Sequence, residues 1–245
     1  MRNIKITVEY DGTNYSGWQI QKNTGETIQQ KIEQVLTEIN QAKVSVCGAS
    51  RTDAGVHALG QTANFLLNSS IPTANIPQAM NRLLPNDIIC KEARDVGLTF
   101  HARHDAKGKK YRYRILNQRY RSVFKRDYAY YLKYPLNVTA MQQAGRYLEG
   151  THDFSAFAAS GSSIKDPVRT ISSLEIKRRD GEIWLDIIGN GFLYKMVRII
   201  TGTLIELGSG QLTVAEIRKI IANKERNQAG FTAPAHALTL MEVYY

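Results

Sequence analysis

Ile4, Ile6 and Val8 alternate with polar neighbours, and this period of two predicts a strand over residues 3–10. Asp11-Gly12-Thr13-Asn14 breaks the pattern. From Thr27 the period changes: Ile28, Ile32, Val35, Leu36 and Ile39 fall on one helical face, with Thr27 as the cap. A strand over 43–47 follows. Beyond the small-residue loop from Gly48 to Gly55, residues 57–67 read as extended, 75–84 as helix and 88–96 as extended. The first half is therefore β-α-β-β-α-β.

In the second half Lys107, Lys109, Lys110, Arg112 and Arg114 interleave with Tyr111, Tyr113 and Ile115, the signature of a strand with a cationic face. Helix is predicted over 139–148, strands over 168–177 and 183–188, and helix over 194–207 with Gly208 as its stop. A further helix over 213–222 and a closing strand over 238–244 complete the chain. Strands and helices follow one another without regular βαβ crossovers, so the expected class is α+β with a largely antiparallel sheet. Two mixed halves are expected, 1–105 and 106–245. With no flexible linker at the junction they should pack together, and the cleft between them is where a site is sought first.

Composition narrows the function. Of 245 residues 43% are hydrophobic and 22% charged, which excludes a disordered or fibrous chain. The 32 Lys and Arg against 22 Asp and Glu leave a net charge of +10, so a polyanionic partner, nucleic acid or anionic membrane, is favoured. Cys47 and Cys90 lie in apolar, strand-like runs and read as buried free thiols, although one disulfide between them can be drawn. The first residues alternate in polarity instead of forming a signal segment, and no apolar stretch is of membrane-spanning length, so a cytoplasmic protein is expected.

Gly48-Ala49-Ser50-Arg51-Thr52-Asp53-Ala54-Gly55-Val56-His57-Ala58 crowds small residues around Arg51, Thr52 and Asp53 at the seam of two strands. A backbone can approach a ligand closely there. On chemistry alone the block reads sooner as a turn in which Asp53 accepts backbone hydrogen bonds and Arg51 is solvated. Arg51 through Ala58, however, resembles the signature G-R-T-D-A-G-V-H-A of the bacterial tRNA pseudouridine synthase A family, with Ser50 standing where that pattern has Gly. Tyr10 to Gln19, Thr99 to Arg103, Lys109 to Tyr113, Gly150 to Phe157, Phe192 to Arg198 and Ala233 to Ala235 are similar to further blocks of the family, so the resemblance covers nearly the whole chain. His236-Ala237 replaces a Gly-containing pair.

The resemblance implies two packed ferredoxin-like halves with one continuous antiparallel sheet. It also implies a homodimer acting on tRNA, isomerising uridines at positions 38, 39 and 40 of the anticodon stem-loop. Uridine isomerisation changes no oxidation state and transfers no group to another molecule, so neither cofactor nor metal is expected. By the same resemblance Asp53 is the essential carboxylate, whether it attacks sugar or base or removes a sugar proton. Tyr111 stacks on the displaced uracil, Arg198 is the counter-ion of Asp53, and Arg51 either helps displace the base or meets a phosphate. Lys109, Lys110 and Arg112 are candidates for phosphate contacts. Lys195 and Arg198, three apart on the expected helix, should point in similar directions.

Two rivals stand beside this reading. One is a non-catalytic RNA-binding module with exposed aromatics on its sheet. The other is a methyltransferase, which needs a Gly-rich loop after the first strand where Asp11-Gly12-Thr13-Asn14 has one Gly. His101 and His104 are three apart, but the cysteines are distant in sequence and no carboxylate cluster accompanies them, so zinc is not expected.

Overall fold

The computed structural model describes residues 1–23, 25–161 and 166–245. Along the chain run β1 (Arg2–Tyr10), α1 (Ile28–Asn40), β2 (Val46–Gly48), β3 (His57–Leu67), α2 (Ile76–Asn81), β4 (Ile88–Val96), β5 (Gly108–Asn117), β6 (Tyr130–Leu132), α3 (Val138–Leu148), β7 (Gly150–Asp153), β8 (Val168–Arg179), β9 (Glu182–Gly189), α4 (Met196–Gly208), α5 (Val214–Asn223) and β10 (Leu238–Tyr244). They fall into two compact units, Met1–Lys107 with Thr239–Tyr245, and Gly108–Leu238. The expected division at 105/106 lies two residues before this boundary, and the closing strand, expected in the second half, is counted from Thr239 with the first unit.

In the first unit β1 lies between β3 and β4, antiparallel to both, and β2 pairs antiparallel with β3. The spatial order β4-β1-β3-β2 is that of a ferredoxin-like β-α-β-β-α-β unit. β10 adds in parallel at the start of β3, with Thr239 opposite His57 and Leu240 opposite Ala58, while β2 takes Ala63 to Phe65 further along. Alternation in β1 buries Ile4, Ile6 and Val8 completely, together with Ile28, Ile32 and Leu36 of α1. Thr27 caps α1, its hydroxyl accepting from Gln30 N–H at 3.4 Å. β2 begins three residues later than expected because α1 takes its first donors. Val44 N–H bonds the Thr37 hydroxyl at 3.2 Å and Val46 N–H the Glu33 carboxylate at 2.9 Å. Asn3 and Asn64 form a buried amide pair at 3.0 Å. The pair fixes the segment after β4, with Asn3 donating to the Gly97 and Phe100 carbonyls and Asn64 accepting from Ala102 N–H at 2.8 Å.

In the second unit β5, β9, β8 and β7 form an antiparallel run, with β6 parallel to β5. Antiparallel pairing thus dominates in both units, as the α+β expectation required. α4 is apolar almost all round and buries Met196, Ile199, Ile200, Leu204 and Ile205, which makes it the central core helix of this unit. It starts two residues later than expected. Lys195 has φ +59 and caps the helix in the left-handed region, so it shares no helical face with Arg198. Gly208 is its last residue, but the left-handed turn that ends the run belongs to Gly210. No helix among the described residues is long and apolar enough to cross a membrane.

Candidate active site

Asp53 sits half-buried in the loop joining β2 to β3, and the loop's backbone is tied on every side. Ala49 N–H donates to the Thr62 carbonyl at 2.8 Å. Ser50 is gripped by the wholly buried Gln61, whose amide oxygen accepts Ser50 N–H at 3.2 Å and whose amide nitrogen donates to the Ser50 carbonyl at 2.7 Å. The Thr52 hydroxyl meets the Tyr10 hydroxyl at 2.8 Å, and its carbonyl accepts Trp18 N–H at 3.1 Å. Val56 N–H closes a turn onto the Asp53 carbonyl at 3.1 Å, and Gly55, at φ +76, donates to the Tyr15 carbonyl at 3.3 Å. Ser50 has no positive φ, so its backbone makes no demand for glycine.

The Tyr10–Gln19 block is the bed under this loop, and two of its glycines are required by contact. A Cβ on Gly12 would lie 2.1 Å from the Val56 carbonyl oxygen. One on Gly17, at φ +91, would lie 2.6 Å from the Thr52 carbonyl oxygen and 3.1 Å from the Asp53 carbonyl carbon. Gly12 N–H also lies against His57 Nδ1 at 3.0 Å, and the Asp11 carboxylate is 3.1 Å from the same ring nitrogen. Gly17 and Trp18 offer their carbonyls to the first N–H groups of α1, Ile28 and Gln29, at 3.1 and 3.0 Å. Strand, bed, loop and helix start are thus one hydrogen-bonded assembly. It presents the Asp53 carboxylate and, beside it, the exposed Arg51. The Tyr10–Gln19 block is legible as a resemblance, but the bracing by Tyr10, Gly17 and Trp18 is not, because their partners lie 34 to 42 residues away, nor is that by Gln61, 11 residues from Ser50.

Cys47 is half-buried, not buried as expected, whereas Cys90 is buried; both are free. Their distance in sequence from the histidines misleads: Cys47 Sγ lies 3.3 Å from His101 Nε2, and the His101 and His104 rings are 4.2 Å apart. Burial pushes the Cys47 thiol up, offset in part by Arg103 and Arg51, so it is held as the protonated form and is a poor nucleophile. Among the described residues no group of three or more His, Cys, Asp or Glu is placed to hold a metal.

In the second unit Tyr111 is buried on β5 with the Phe192 ring edge-on at 5.4 Å. Two residues on, Tyr113 donates its hydroxyl to the Pro234 carbonyl at 2.9 Å; burial pushes its phenol well up, against the pull of the Arg198 charge. Arg198 is half-buried on α4 and locked reciprocally to Ala233. Its Nε donates to the Ala233 carbonyl at 2.7 Å, and Ala233 N–H returns to the Arg198 carbonyl at 3.1 Å. The Ala233–Ala235 block is therefore the brace of Arg198. Residues 235–237 close in a single 3-10 turn without positive φ, so His236-Ala237 fits where a glycine pair is not needed.

The cationic residues of β5 divide between its faces. Lys109, Tyr111 and Tyr113 share one face by alternation, while Lys110, Arg112 and Arg114 share the other. Arg112 holds Asp186 in a fork at 2.6 and 2.7 Å, and Lys110 reaches the same carboxylate at 3.0 Å. Burial works to raise the Asp186 carboxyl, but these two cations outweigh it and hold it below the ordinary value. Arg112 also lies over the Trp184 ring at 4.2 Å. A cavity of about 440 Å³ opens on this face, lined in part by Arg112, Lys177, Trp184 and Asp186. Lys110 and Arg112 thus do not flank the Tyr111 ring, and only Lys109 stands on its side of the strand.

The first unit thus holds a carboxylate on a braced loop, and the second a buried ring and a braced guanidinium. The family model described as tRNA pseudouridine synthase matches residues 6–105 and 144–245. The chain belongs to that family, whose members are isomerases. It is 52% identical over 245 residues to the tRNA pseudouridine synthase A of Acetivibrio thermocellus, and 48% identical over 245 residues to that of a Thermoanaerobacter species, covering 100% of both chains in each pair. The enzyme of the same name from Halalkalibacterium halodurans is 47% identical over 97% of this chain and 90% of its own.

Proposed function

We propose that this chain converts uridines at positions 38, 39 and 40 of the tRNA anticodon stem-loop to pseudouridine, with Asp53 as the essential carboxylate. The observation that carries the reading is the over-determined loop from Ala49 to Val56. Its peptide groups are held by Tyr15, Trp18, Gln61 and Thr62, so the Asp53 side chain reaches the reacting nucleoside with little ordering left to do. In the reaction the C1′–N1 bond breaks, the uracil turns, and a C1′–C5 bond forms. The C5 proton leaves and N1 ends protonated, so substrate and product are isomers and no oxidant, reductant or group donor takes part.

Asp53 acts as nucleophile or base; Tyr111 stacks on the turned uracil. Arg198 is the counter-charge of the reaction, a role carried over from the family resemblance. Arg51, exposed beside Asp53, displaces the base or meets a flanking phosphate. Lys109 contributes positive charge on the Tyr111 face, and Lys110 and Arg112 keep one surplus charge over Asp186 on the other. A homodimer and a cytoplasmic location belong to the same reading and rest on the resemblance. Tritium release from C5-labelled uridine in tRNA tests the reaction class. Stoichiometric release without an added methyl donor is expected; none from a folded, tRNA-binding protein would leave only a binding module.

A further inference from the structure

The segment from Gln118 to Ala129, between β5 and β6, carries chemistry that the proposed reaction does not use. Phe124 is 90% exposed, Val123 69% and Tyr120 67%, a concentration of apolar surface in five residues that costs solvation unless something covers it. Around it stand Arg119, Arg121, Lys125 and Arg126 against the single carboxylate of Asp127.

The segment is ordered by its own bonds. The Tyr131 hydroxyl donates to the Arg119 carbonyl and the Gln118 amide to the Tyr120 carbonyl, each at 2.8 Å. A turn is closed by Ala129 N–H on the Lys125 carbonyl at 2.9 Å. Lys125 is anchored to Glu182 of β9 at 2.6 Å, a carboxylate that also accepts from Arg114 and from the Trp184 indole. Guanidinium and ring are paired on the outer surface, Arg119 over Tyr120 at 5.1 Å and Arg121 over Tyr131 at 5.5 Å.

We infer that this segment is a second RNA contact, in which Tyr120 and Phe124 receive unstacked bases or the edge of the ribose chain while Arg119 and Arg121 meet phosphates. The inference rests on the reading of tRNA as substrate. Rings offering a π-face beside cations are what a nucleic acid strand asks of a protein surface. A second copy of the chain fits less well. A two-fold contact sets the same patch against itself, and once Lys125 is paired with Glu182 and Arg126 with Asp127, the surplus charges of Arg119 and Arg121 would face their own copies. The segment begins one residue past the end of β5, seven residues from Tyr111, which on an extended strand is about 23 Å. It would therefore hold tRNA well away from the isomerised base, adding affinity without entering the chemistry.

Two double variants separate the components: Tyr120→Ala with Phe124→Ala, and Arg119→Ala with Arg121→Ala. Binding of full-length tRNA is measured across salt, with single-turnover pseudouridine formation at saturating protein and sedimentation of each protein in parallel. Loss of both rings should weaken binding by about 30-fold or more. Loss of both arginines should lower the log–log salt slope by about 1 to 2. The saturated rate should stay within about twofold in both, since neither pair touches the reacting atoms. Unchanged tRNA affinity and slope while wild type still forms pseudouridine would overturn the inference and leave the proposed reaction standing. So would ring variants that change sedimentation but not affinity, which would make the patch a contact between copies. So too would loss of binding to anionic vesicles with tRNA affinity intact. Absence of pseudouridine formation by wild type would count against the reaction itself, whatever the variants bind.

Discussion

Gly17→Ala is the sharpest probe of how Asp53 is held. The added methyl would sit 2.6 Å from the Thr52 carbonyl oxygen and 3.1 Å from both Ala54 N and the Asp53 carbonyl carbon, so the loop has to retreat by about half an ångström. The residue also keeps φ +91, a region that L side chains disfavour, at a cost of about 1–2 kcal/mol. Overpacking against backbone adds about 1–3 kcal/mol. The two together are about 2–5 kcal/mol, which for a chain of this size lowers Tm by roughly 5–15 °C. Because the clash falls on the peptides flanking Asp53, the carboxylate moves with them. A misplacement of this order is expected to slow single-turnover pseudouridine formation by roughly 10- to 100-fold. Affinity for tRNA should change by less than about threefold, since it is spread over the cationic surface. Gly97→Ala is the control, because a Cβ there meets nothing within 4 Å. A Gly17→Ala protein with wild-type Tm and wild-type rate would refute the bracing of the loop from behind.

Gln61→Leu removes both bonds to the Ser50 peptide and leaves buried groups unpaired. Thermal denaturation should show a loss of about 2–4 kcal/mol, and the rate should fall with it. Tyr111→Phe should keep more tRNA affinity than Tyr111→Leu, since stacking needs a ring more than a hydroxyl; equal affinities would make Tyr111 a core residue only. Glu182 gives a pH signature. Burial acts to raise its carboxyl, but hydrogen bonds from Arg114, Lys125 and Trp184 overcome this and hold it down at about 2. Its contribution is therefore complete above the unfolded value of 4.5 and is lost as pH falls from there through about 2. Tm measured against pH should fall less steeply across that window in Glu182→Gln than in wild type.

Much of the fold was legible because a period of two or 3.6 survives any tertiary context. β3, β4 and β10 have the bounds expected from alternation alone, and Thr27 was readable as the cap of α1. β6 and β7 were not, since three and four residues carry no period and these strands exist only through pairing with β5 and β8. The left-handed Lys195 was hidden too, because an ordinary lysine gives no sign of positive φ. The motif residues Asp53, Arg51, Tyr111 and Arg198 were found from their resemblance to a family pattern. The residues that brace them were not, because Gly17 owes its identity to a carbonyl 35 residues later. Nor could spacing show that Cys47 meets His101, 54 residues away. The division of β5 into a Tyr111 face and an Arg112 face, by contrast, needed only the alternation already in hand.

Asp53→Asn tests the central claim most directly. Asparagine keeps the shape of the side chain but offers neither a carboxylate nucleophile nor a base. Single-turnover pseudouridine formation on tRNA, followed across pH with tRNA binding and circular dichroism alongside, should fall by at least about a thousandfold at every pH. Affinity and spectrum should be those of wild type, because the same hydrogen-bonded loop can carry the amide in place of the carboxylate. Substantial turnover by a folded, tRNA-binding Asp53→Asn protein would contradict the assignment of Asp53 as the essential carboxylate.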